Sequence, residues 1–221
     1  MDRKSIAFAA CVFASAGSGA WAQARVEISG TAGWTFSDGV KGEDLVVPGE
    51  GVFDRIEPAD AFSWGARLGY LVNPNLEVGF LFSQQSSSLN IGGTRTIDIG
   101  DLAVRNYHGY LAYNIGEYEA VVRPYLLGGV GATQFGTVAG RYKDLRRDIE
   151  GSTKLSSTWA AGLKVFPIRN LGIRVEGRWT PTYVKSEAEG WWCGPFWGCY
   201  TVEDHLYSNQ FELSGGLTLR F

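Results

Sequence analysis

Phe211-Glu-Leu-Ser-Gly-Gly-Leu-Thr-Leu-Arg-Phe221 alternates without a break and ends on an aromatic. Phe211, Leu213, Gly215, Leu217, Leu219 and Phe221 share one face, and Glu212, Ser214, Gly216, Thr218 and Arg220 share the other. A period of two is that of a β-strand, whose successive side chains point to opposite sides. A strand apolar on one side and charged on the other suits a wall between lipid and a polar interior.

The same alternation recurs upstream. Val26, Ile28, Gly30, Ala32, Trp34 and Phe36 oppose Glu27, Ser29, Thr31, Gly33 and Thr35. Phe62, Trp64, Ala66, Leu68 and Tyr70 place Arg67 on the other face; Val78, Phe80 and Phe82 do the same for Glu77. Further strands are expected at about 102–115, 122–135, 157–166 and 171–183, with 211–221 in the last. The faces of 122–135 stay open, and the third strand is expected to leave the membrane over Gln84 to Ser88. Asn73-Pro-Asn75 and Pro167-Ile-Arg-Asn170 read as tight turns. The segments 37–60, 89–101, 136–156 and 184–206 read as long connections, with Val46-Val47 able to extend a hairpin.

The count is eight, with long and short connections alternating. No stretch has the eighteen or so apolar residues of a transmembrane helix. Open sheet edges cannot be left in lipid. The expected fold is therefore all-β: an eight-stranded antiparallel up-and-down transmembrane β-barrel, with the long connections outside and short turns at the periplasmic end.

The N-terminus agrees. Arg3 and Lys4 precede an apolar run from Ile6 to Ala14, and Ala20-Trp-Ala22 is a small-x-small cleavage site. We read 1–22 as a cleaved secretory signal peptide and 23–221 as the barrel. Cleavage removes two cations and one anion, shifting the net charge from −3 to −4. A mildly acidic chain argues against a nucleic-acid partner. Cys11 leaves with the signal, so Cys193 and Cys199 are expected to pair in an oxidising compartment.

Arg123-Pro-Tyr-Leu-Leu-Gly-Gly-Val-Gly131, Leu171-Gly-Ile-Arg-Val-Glu-Gly-Arg178 and the terminal Phe221 resemble the OmpA-like family of small eight-stranded outer-membrane barrels. The resemblance implies a bacterial outer-membrane location among lipids and lipopolysaccharide. It also implies that Phe221 serves as the insertion signal read by the barrel insertion machinery. It says little about activity.

The inward face carries Glu27, Arg67, Glu77, Lys164, Arg174, Glu176, Arg178, Glu212 and Arg220. Two readings compete: a selective pathway or carboxylate pair, and a salt-bridged plug. An eight-stranded barrel is just wide enough for side chains to fill, and unpaired buried charges are costly. The plug is favoured, with Glu176 set between Arg174 and Arg178 along its strand. His108 is expected in the lumen with a hydrogen-bond partner. His205-Leu-Tyr-Ser208-Asn209 does not match the compact His-x-Ser-Asn pattern of outer-membrane lipid A deacylases, and a regular strand puts His205 and Ser208 on opposite faces. No catalytic set, cofactor site or metal-ligand cluster is expected.

The fourth long connection is the most individual. Trp191, Trp192, Phe196, Trp197 and Tyr200 surround Cys193 and Cys199, with Gly194-Pro195 favouring a turn. Such an aromatic patch reads either as a surface for an unidentified loop ligand or as packing against neighbouring loops and headgroups. The expected function is a non-enzymatic surface or structural barrel with ligand- or host-contacting loops. The alternatives are a narrow channel for small or hydrophobic solutes and, behind it, a lipid-modifying enzyme. A secreted lipocalin-like barrel would need an apolar interior, and here that face is charged.

Overall fold

The computed structural model describes residues 25–38, 40–47, 51–93, 97–142, 145–149, 151–183 and 207–221. Eight strands form the wall: β1 (Val26–Ser37), β4 (Ala61–Leu71), β5 (Leu76–Gly93), β6 (Ile97–Asn114), β7 (Val122–Phe135), β10 (Ser152–Ile168), β11 (Leu171–Tyr183) and β12 (Tyr207–Arg220). Each pairs antiparallel with the next, and β12 returns to β1 in register from Glu27↔Arg220 to Ser37↔Gln210. The sheet is thereby closed, as spanning a bilayer with strands demands. The last residue is tied in: Phe221 N–H donates to Val26 O, and Val26 N–H donates back to Phe221 O.

Alternation decides the two faces throughout. Along β4 every even residue is exposed and every odd residue buried. Along β11 the outward residues are Ile173, Val175, Gly177 and Trp179. The outward aromatics gather toward the two rims, as interface girdles do. Trp34, Phe36, Phe62, Trp64, Trp159, Trp179 and Phe211 lie toward the extracellular end, where Trp179 stacks on Phe211 at 6.3 Å. Tyr70, Tyr113 and Phe221 lie toward the other. The short turns are locally encoded: Asn73 Oδ1 accepts from the Asn75 and Leu76 amides, an Asx turn. Gly116 takes a positive φ of 99°, which glycine adopts without a Cβ penalty.

The long connections differ from expectation. The segment 37–60 contains β2 (Val40–Val47) and β3 (Gly51–Pro58), a hairpin whose second strand pairs with the outer end of β5. The segment 89–101 is largely strand, because β5 continues to Gly93 and β6 begins at Ile97. The segment 136–156 holds β8 (Val138–Tyr142), paired with β9 (Leu145–Ile149), and the first residues of β10. Polarity on both faces, as in Gln84 to Ser88, marks departure from lipid but not the end of pairing: backbone hydrogen bonds sustain a ladder whatever its side chains face. β5 therefore runs 18 residues, against the about 9–11 that cross a bilayer. Pro167 and Ile168 also belong to β10, with a register irregularity between Val165 and Ile168, leaving Arg169 and Asn170 as the turn. The segment 184–206 lies outside the described residues.

The open faces of β7 are resolved. Arg123, Tyr125 and Leu127 point inward, and Pro124 and Leu126 outward. Close strand approach falls at glycines. A Cβ on Gly131 would run into the Tyr107 carbonyl oxygen and lie 2.7 Å from the His108 Cα. Gly131→Ala is expected to cost about 1–3 kcal/mol through this overpacking. A urea titration of the refolded barrel, read by its folded gel mobility, measures it; an unchanged midpoint would refute the backbone clash.

Candidate functional site

All nine charged residues assigned to the inward face are buried in the lumen. They belong to a column of polar contacts that follows the barrel axis. At the periplasmic end, Lys164 Nζ on β10 donates to Glu27 Oε2 on β1 at 2.6 Å and to Glu77 Oε2 on β5 at 2.5 Å. Arg220 Nη2 and Nε donate to Glu27 Oε1 at 2.9 and 3.1 Å. Tyr110 Oη donates to Glu77 Oε1 at 2.7 Å, and Asn114 Nδ2 donates to Glu77 Oε2 at 3.4 Å.

One level up, Arg67 on β4 forms a two-pronged pair with Glu176 on β11, and Tyr125 Oη donates to the same carboxylate at 2.5 Å. Bidentate Arg–carboxylate pairs are the strong, geometrically specific kind. Above this, Arg178 pairs with Glu212 in register on the adjacent strand and donates to Ser83 Oγ at 2.8 Å. Thr35 Oγ1 donates to the Glu212 carboxylate at 3.4 Å.

The extracellular half of the lumen is neutral and hydroxyl-rich. Asn106 Nδ2 donates to Gln210 Oε1 at 3.1 Å. Thr133 Oγ1 contacts both Asn106 Oδ1 and Ser156 Oγ. His108, fully buried, meets Ser156 Oγ through Nε2 at 2.9 Å.

The grouping differs from the expected one in one respect. Glu176 pairs with Arg67 three strands away, rather than chiefly with Arg174 and Arg178 along its own strand. Long side chains cross so narrow a lumen easily. Arg123 was absent from the expected set because the faces of its strand were open. It is fully buried and inward. The shared parity of Arg123, Tyr125 and Leu127 was the available signal, since a cation on the opposite face would have stood in lipid.

The described residues contain no group of His, Cys, Asp or Glu able to hold a metal ion. Cys193, Cys199 and the aromatics Trp191, Trp192, Phe196, Trp197 and Tyr200 lie outside the described residues, as does His205. Ser208 is buried, and Phe221 closes the seam with β1.

The chain is similar in fold to several outer-membrane proteins of known structure. The chain matches Neisserial surface protein A at 14% identity over 89% of its length and 97% of that chain, with a TM-score of 0.55. OprG from Pseudomonas aeruginosa matches at 12% identity over 90% and 97% of the two chains, TM-score 0.55. The outer membrane protein AlkL matches at 16% identity over 93% and 94%, TM-score 0.54. At these identities the likeness is one of fold alone. No curated protein sequence matches the chain. The model of the outer membrane protein beta-barrel domain matches residues 5–217. With that match spanning nearly the whole chain, and a closed eight-stranded wall around a charged lumen, the chain belongs to the outer membrane protein β-barrel domain family and is a bacterial outer-membrane protein.

Proposed function

We propose that this protein is a non-conducting, non-enzymatic surface barrel whose work is done by the strands and loops above the membrane. The observation that carries this reading is the ion-pair column. Lys164 joins β10 to β1 and β5, and Arg67 joins β4 to β11, so side chains bridge opposite walls at successive levels. Ions crossing the lumen would have to break buried pairs, and breaking one costs several kcal/mol. Outside the membrane, β5, β6 and the β2–β3 hairpin build an extended sheet that raises a large surface above the lipid. The aromatic tip at 191–200 adds a contact patch on this reading, with Cys193 and Cys199 closing it. One neighbour of similar fold is itself called a surface protein.

The test is electrical. Purified, refolded protein in planar bilayers is expected to give no conductance steps under an applied potential in concentrated salt. Steps of uniform size would overturn the closed lumen and favour the narrow-channel reading. Unchanged lipid A acylation on expression is the matching expectation for the absence of lipid-modifying activity.

A further inference from the structure

Charge in the lumen does not balance. Among the described residues, six buried cations (Arg67, Arg123, Lys164, Arg174, Arg178 and Arg220) face four buried carboxylates (Glu27, Glu77, Glu176 and Glu212). The surplus is local. Arg67 with Glu176 and Arg178 with Glu212 cancel in the upper levels. At the periplasmic end, Arg123, Lys164, Arg174 and Arg220 share only Glu27 and Glu77. This positive excess sits inside a chain of net charge −3.

The arrangement makes the excess worse. Lys164 stands directly opposite Arg123 on β7 and directly opposite Arg174 on β11. Three cations thus share one row of the ladder, and like charges at facing positions destabilise a sheet. The two carboxylates are already occupied by Lys164, Arg220, Tyr110 and Asn114.

Two guanidinium groups are left over. Arg123 spends Nη2 on the Pro74 carbonyl, while its Nε and Nη1 find no acceptor in the protein. Arg174 reaches Glu27 only at 3.8 Å, and its Nε and Nη1 also find no acceptor. Both side chains are at most 1% exposed. A guanidinium is a pure donor that stays charged in proteins, so deprotonation offers no escape from the desolvation cost. Aromatic faces supply part of the compensation: Arg174 lies 5.1 Å from the Tyr125 ring and Arg123 lies 5.5 Å from the Tyr118 ring. Neither ring supplies an oxygen or nitrogen acceptor to the Nε and Nη1 groups, which stay without a hydrogen-bond partner.

We propose that the periplasmic end of the lumen is a binding site for a small inorganic anion, held by Arg123 and Arg174 around Lys164. Such an anion neutralises the like-charged row and accepts the orphaned N–H groups at once. A small anion suits the packed surroundings, and the periplasm is the near side. The site leaves the ion-pair column above it intact, so it is independent of whether the loops bind a ligand.

The experiment uses the refolded mature protein in micelles. Sodium chloride or sodium phosphate is titrated at constant ionic strength, with a bulky sulfonate as the replaced anion, and the urea midpoint is followed. The expected result is a saturable rise in midpoint. Arg123→Gln and Arg174→Gln should each raise the half-saturating concentration by at least about ten-fold, the loss of a charged hydrogen bond. Arg105→Gln, on an outward residue near the other end, should leave it unchanged. In sulfonate alone Arg174→Gln should raise the midpoint, because a buried cation that meets its nearest carboxylate only at 3.8 Å has gone. Chlorine NMR line broadening by the unsubstituted protein, reversed by phosphate, reads binding even if a variant fails to refold. A linear, non-saturating response, half-saturation unmoved in both variants, or no reversible broadening would each overturn the site.

Discussion

Glu27→Ala is expected to destabilise the barrel by about 3–5 kcal/mol, the cost of removing one partner from a buried ionic cluster. Glu27 accepts from Lys164 and twice from Arg220, and it is the nearest carboxylate to Arg174. Without it, the four buried cations at the periplasmic end, Arg123, Lys164, Arg174 and Arg220, are left with the single carboxylate of Glu77. Urea titration of the refolded protein, followed by tryptophan fluorescence and folded gel mobility, gives the difference. A companion substitution separates pairing from packing. Arg67→Met together with Glu176→Leu removes both partners of one pair, and is expected to cost far less than Arg67→Met alone, since an ion pair replaced by apolar groups often loses little. A Glu27→Ala barrel within about 1 kcal/mol of the parent would mean that the lumen charges are well hydrated and do not hold the walls together.

Leu217→Arg is expected to cost about 2–4 kcal/mol, the penalty for a cation at mid-depth on the lipid face of a barrel. Leu217 is outward on β12, paired with Gly30 and Ile173, midway between Phe211 in the extracellular girdle and Phe221 at the periplasmic rim. Leu155→Arg should cost less than about 1 kcal/mol. Leu155 is more exposed than Leu217, but it stands four residues beyond Trp159 on the extracellular side. Comparing the two in lipid vesicles tests depth rather than exposure. Equal penalties would place both at the same level and misassign the girdles.

The wall was legible because each strand repeats one simple constraint. Phe62 to Tyr70 and Ile173 to Trp179 can only put their large apolar side chains in lipid by alternating, and the structure orients them so. Where lipid stops imposing that constraint, the sequence signal fades although the strands continue. Gln84, Ser86 and Ser88 are polar beside polar Ser83, Gln85 and Ser87, so nothing in their pattern distinguishes ladder from loop. The hairpin β2–β3 showed in the sequence only as the possibility offered by Val46-Val47, because it is anchored by pairing with β5, a partner far away in sequence.

Candidate lumen residues followed the same logic. Parity identified nine inward charges, but parity says only which way a side chain points. It says nothing about which side chain it meets across the lumen. Membership of the lumen face and the expectation of eight wall strands follow from alternation along the chain, and alternation is a local fact of the sequence. The pairing of Glu176 with Arg67, the bridging by Lys164 and the two unmet guanidinium groups at Arg123 and Arg174 were decided only when the sheet closed. Closure sets the diameter and the register, and these determine which long side chains meet in the middle.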